Sequence, residues 1–74
     1  MNKEFHNLKV QYLMAQGEAK ETYLSQMREN LKQRNGNVGI YTNLYTHPGE
    51  SIDIETCDEQ KLFEIDGDMS TRGI

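Results

Sequence analysis

With 74 residues and a formal net charge of −4, the chain has room for one domain and one thin core. Its single cysteine, Cys57, excludes an internal disulfide, and one cysteine with two histidines, His6 and His47, is too few for a structural zinc site at any familiar spacing. No apolar run approaches the roughly 18–20 residues that cross a bilayer, so a membrane span is not expected.

Only fifteen residues are Ile, Leu, Val or Phe, which places the chain near the border with disorder. The mild net charge and the regular patterning put it on the folded side. Domains of this size draw about 3–5 kcal/mol from one core, and with no disulfide or metal to add to that, a homodimer or higher oligomer is expected as readily as a monomer. One unpaired thiol suits a reducing compartment, and the start Met1-Asn2-Lys3-Glu4-Phe5-His6 lacks the order of a signal peptide. The expected location is cytoplasmic.

Residues 2–34 contain no proline and one glycine, and they are rich in good helix formers. Phe5, Leu8, Tyr12, Ala15, Ala19 and Tyr23 share one face at helical spacing, and Leu13, Leu24, Met27 and Leu31 share another. The dominant face changes near Gly17. The pattern predicts one long helix, bent or broken at Gly17; in a broken one, Glu18 and Glu21 fall in the first turn of the second piece, where acids are favoured. Asn35-Gly36-Asn37 stops the helix, with Gly36 free to take a left-handed cap conformation.

From Val38 the side-chain period changes to two. Val38, Ile40, Thr42 and Leu44 alternate with Gly39, Tyr41, Asn43 and Tyr45. His47-Pro48-Gly49-Glu50 signals a turn. Ser51 to Cys57 alternates again, with Ile52 and Ile54 on one side and Asp53, Glu55 and Cys57 on the other. Asp58-Glu59-Gln60 reads as a second turn, and Lys61 to Asp66 as a third strand with Phe63 and Ile65 inward. The predicted fold class is α+β: a long or broken N-terminal helix packed on a three-stranded antiparallel β-meander. Residues 1–66 form the single domain, and residues 67–74 are expected to be a flexible C-terminal tail.

Charge divides unevenly along the chain. Residues 1–35 carry six basic and four acidic side chains, a net of +2, whereas residues 36–74 carry two basic and eight acidic, a net of −6. Acids on a small sheet commonly solvate it and guard its edges. The sharper reading is a docking surface for a protein partner with a basic surface. The helical cations Lys3, Lys9, Lys20, Arg28, Lys32 and Arg34 are scattered around the wheel, which argues against direct nucleic-acid binding.

Candidate chemistry is thin. Asp66-Gly67-Asp68-Met69-Ser70 has the opening rhythm of a calcium loop, but Thr71 stands where glycine is needed and no closing glutamate follows. Cys57 beside His6 or His47 would lack an oxyanion hole, and the acids around it disfavour the thiolate. Paired Asp53 and Glu55 could do acid–base work only in a cleft, and 74 residues leave little room for one. No catalytic residue, cofactor or metal is expected. The expected partner-binding residues are Tyr41 and Tyr45, facing outward from the first strand, with Asp53, Glu55, Asp58, Glu59 and Glu64.

The sequence therefore favours a non-enzymatic, acidic protein-binding module, an inhibitor or regulator of the kind phages and other mobile elements carry, which occupies a surface of a larger protein. Two other classes fit the same residues. One is an oligomeric nucleic-acid-associated regulator using the mildly basic helical half. The other is a small structural or assembly subunit.

Overall fold

A computed structural model describes residues 2–42, 44 and 48–72, the last of these by its backbone alone. The element order is α1 (Lys3–Met14), α2 (Glu18–Arg34), β1 (Ile40–Tyr41), β2 (Ile52–Asp53) and α3 (Glu59–Arg72). The described residues make a small α+β protein with three helices and one two-stranded antiparallel sheet.

The N-terminal helix breaks into two. Asn2 caps α1 by accepting the Phe5 N–H on its Oδ1 at 2.8 Å. After Met14 the backbone turns extended at Ala15, and Gly17 sits at φ 63°, ψ −137°, where a side chain would be strained. No side chain caps α2, but Glu18 and Glu21 supply negative charge to its first turn. α2 ends in a Schellman arrangement: the Asn37 N–H donates to Lys32 O at 2.8 Å and the Gly36 N–H to Gln33 O at 3.2 Å, with Gly36 at φ 69°.

α1 packs along α2 as a helical hairpin, and α3 packs on α2. Phe5, Tyr12, Met27 and Leu31 from the hairpin meet Tyr41, Leu44, Ile52, Ile54, Leu62 and Ile65 in one core cluster. The radius of gyration is 11.8 Å, near the ~11 Å of a compact chain this long.

The third strand does not form. Lys61–Asp66 lies inside α3, and Asp58, expected in a turn, caps that helix by accepting the Lys61 N–H on Oδ1 at 3.0 Å. Leu62 and Ile65, three residues apart, are both fully buried, which is helical spacing, while Phe63 is only partly buried. Gly67 does not open a tail either: α3 runs through it to Arg72, and Asp68 is buried. A glycine within a helix costs only about 1 kcal/mol against alanine, less than burying Leu62 and Ile65 returns.

The two strands are two residues each, with Ile40 opposite Asp53 and Tyr41 opposite Ile52. So short a ribbon is marginal by itself. Its support comes from α2, where Arg28 Nη1 donates to Ile54 O at 2.8 Å and Lys32 Nζ to Glu55 Oε1 at 3.0 Å. Beyond Asp53 the chain leaves the extended state, and the Thr56 and Cys57 N–H groups both donate to Asp53 O in a turn.

Candidate functional site on the outer face of the ribbon

Residues opposite one another in an antiparallel pair point to the same face. Tyr41 and Ile52 therefore share the inner face, where both are buried, and Ile40 and Asp53 share the outer one. This reverses the phase expected for β1. Tyr41 is 2% exposed and its hydroxyl donates to Asp68 on α3, while Val38 and Ile40 are 54% and 46% exposed. Tyrosine buries the larger apolar surface, and Asp68 supplies the buried acceptor its hydroxyl needs. Leu44 is buried on the same core as Tyr41, three residues earlier, so strict alternation ends at β1. Tyr45 and His47 lie outside the described residues.

The remaining expected contact residues separate into two groups. Asp53 stays opposite Ile40 and Glu55 lies against Gly39: Asp53 Oδ1 accepts the Glu55 N–H at 2.9 Å, a Cβ at Gly39 would stand 3.6 Å from Glu55 Oε2, and Glu55 holds Lys32 while its side chain remains 59% exposed. Asp58, Glu59 and Glu64 belong to α3. Asp58 is its cap, Glu59 accepts the Tyr12 hydroxyl, and Glu64 Oε2 lies 3.6 Å from Lys61 Nζ. These three serve intramolecular contacts away from β1.

Above the ribbon, the end of α2 controls its free edge. Gly39 O accepts the Ile54 N–H at 2.7 Å and so points toward β2. The carbonyls on either side, Val38 O and Ile40 O, therefore point the other way. Asn35 Nδ2 donates to both, at 2.8 and 2.9 Å. Strand addition at these two carbonyls is blocked, and the ribbon presents its face rather than its edge. Sequence reasoning missed this role of Asn35, because it read the residue only as part of a helix stop.

Two side chains near the ribbon have shifted proton affinities. Burial pushes the Cys57 thiol above its ordinary pKa, and the nearby Arg28 guanidinium only partly offsets that. A thiol held protonated is a poor nucleophile. Lys32 is raised by its hydrogen bond and charge contact with Glu55. The Asp66–Ser70 stretch is helical rather than a loop, with Asp66 bound to Arg34 at 2.8 Å, and no group of three or more His, Cys, Asp or Glu among the described residues is placed to hold a metal.

Six of the eight Lys and Arg side chains are also engaged. Lys9 Nζ sits 4.5 Å over the Phe63 ring and Lys20 Nζ 4.7 Å over the Tyr12 ring, while Arg28, Lys32, Arg34 and Lys61 bond oxygens. A phosphate backbone would have to compete with each of these partners. Among the described residues, no helix is long and apolar enough to cross a membrane. No protein-family model matches the chain, and no curated protein or solved structure shows significant similarity to it.

Proposed function

We propose that this is a non-enzymatic protein-binding module of the cytoplasm, an inhibitor or regulator that occupies a surface of a larger protein through the outer face of its ribbon. The observation that carries this reading is the pair of β-branched residues, Val38 and Ile40, left in solvent, with Asp53 opposite Ile40 on the same face. A partner with an apolar centre and a basic rim would cover them. About half of Ile40 remains to be buried, which is worth about 1 kcal/mol, and a charge in its place costs the complex more than that.

The test is affinity capture with the immobilised chain. One stoichiometric protein should be retained, and Ile40→Lys should weaken that retention about tenfold or more while the circular dichroism spectrum stays unchanged. Asp53→Lys should act more weakly, through the salt dependence of association. Capture that Ile40→Lys leaves intact would remove the ribbon from the binding surface.

A second reading, an assembly subunit, draws on a different observation. Val10, Leu13 and Met14 are 39%, 57% and 76% exposed and lie at i, i+3 and i+4 on α1, the spacing by which one helix lays an apolar face on another. That reading predicts a dimer or larger particle by light scattering, dispersed by Leu13→Lys. A monomer at high concentration would contradict it.

A further inference from the structure

Asn35 is followed by Gly36, the pairing in which a backbone nitrogen reaches the preceding side-chain amide with least obstruction. An alanine Cβ at Gly36 would meet nothing within 4 Å, so the space around this peptide is open. The same Asn35 amide holds Val38 O and Ile40 O at 2.8 and 2.9 Å. We propose that Asn35 is a deamidation site, and that its conversion to aspartate or isoaspartate unfastens the Val38–Ile40 segment from the end of α2.

The chemistry needs water and hydroxide alone. Gly36 N loses its proton and attacks Asn35 Cγ; the new N–Cγ bond closes a five-membered succinimide, the Cγ–Nδ2 bond breaks, and ammonia leaves with the proton. Water then opens the ring at either carbonyl. One opening gives aspartate, the other an isoaspartate whose main chain runs through the former side chain.

The fold restrains the first step in two ways. The Gly36 N–H donates to Gln33 O, and Nδ2 is tied to two carbonyls, so attack requires the α2 cap to open locally. The product changes the sign of the contact. A carboxylate at residue 35 has no N–H to donate, it faces two carbonyl oxygens that are themselves acceptors, and it sits at the negative end of the α2 dipole. Each effect opposes the clamp, and the freed carbonyls restore an open strand edge beside Val38 and Ile40.

Whether that changes binding rests on the ribbon being a docking face, so the two claims are tested separately. Full-length protein is held at mildly alkaline pH with and without concentrated urea, and peptide mapping by mass spectrometry locates the amide-to-acid conversion. Conversion should concentrate at Asn35 and run about tenfold or more faster in urea. Gly36→Ala should suppress it in urea, where the fold plays no part. Converted protein, and Asn35→Asp as its mimic, should share a lowered urea midpoint. Equal rates with and without urea, conversion spread over the other asparagines, or an unchanged midpoint would each overturn the proposal. Loss of ribbon-dependent capture in Asn35→Asp would extend the clamp to function. Capture retained beside a lowered midpoint would show that the docking reading does not depend on the clamp.

Discussion

Residues 2–35 build a helical hairpin from local order, with caps at Asn2, Gly17 and Asn35 and two helices that lie against each other. Residues 38–72 build two strands of two residues and a helix, pieces that would have little to stand on alone. Several side-chain bonds between the two regions, among the described residues, share a direction. Tyr12, Arg28, Lys32, Arg34 and Asn35 donate; Glu59, Ile54 O, Glu55, Asp66, Val38 O and Ile40 O accept. The split between a mildly basic first half and an acidic second half is thus spent in part inside the molecule, where Glu55 and Asp66 hold Lys32 and Arg34 and Glu59 accepts from Tyr12. A charge asymmetry along a sequence can record how a chain clasps itself, and the acids left for a partner are then fewer than a count suggests.

The largest effect is expected where the two regions share apolar surface. Leu31 of α2 is fully buried in the common core. Leu31→Ala should cost about 3 kcal/mol, read as a lowered urea midpoint with little change in slope. Less than about 1 kcal/mol would mean that the hairpin and the C-terminal region do not share one core.

Next in size is the ribbon's attachment to α3. Tyr41→Phe keeps the ring and removes the hydroxyl that donates to buried Asp68. A loss of about 1.5–2 kcal/mol is expected, the size of a hydrogen bond to a charged group. No change would place Tyr41 in solvent, as simple alternation along the strand predicts.

The smallest effect concerns Lys32, whose side chain bonds Glu55 at 3.0 Å on the surface. Its pKa is raised from 10.5, chiefly by the hydrogen bond to Glu55. The fold therefore favours the protonated form. That contribution is complete below the lysine pKa of the unfolded chain and disappears as pH climbs through the higher folded value. Stability against pH should fall less on the alkaline side in Lys32→Met than in wild type. Parallel curves would show that the pair contributes nothing, as many surface pairs do.

In the first half the helical character and the places where helix stops are legible in the sequence, because those signals are local, whereas the folding of α1 back onto α2 is not. Gly17 marked the break and Asn35-Gly36-Asn37 the stop, and the structure places a positive φ at Gly17, Gly36 and Asn37. The second half was misread where two periods overlap. Phe63 and Ile65 alternate like a strand, whereas Leu62 and Ile65 repeat like a helix, and Asp58, which reads as part of a turn, is the cap of that helix. The inward turn of Tyr41 depends on Asp68, 27 residues away, and no local pattern encodes that contact. Of the expected contact residues, Asp53 lies opposite the outward-facing Ile40, but the apolar members of the patch, Val38 and Ile40, read in the sequence as core residues.

Side-chain donors of the first region and acceptors of the second hold the two together. The most direct test of this is a double-mutant cycle on Arg34 and Asp66, whose side chains are 21% and 17% exposed and 2.8 Å apart. Arg34→Met, Asp66→Asn and the double variant would be unfolded in urea. A coupling of about 1–2 kcal/mol is predicted, with each single change costing more than its share of the pair. Single effects that simply add would contradict the clasp between the halves.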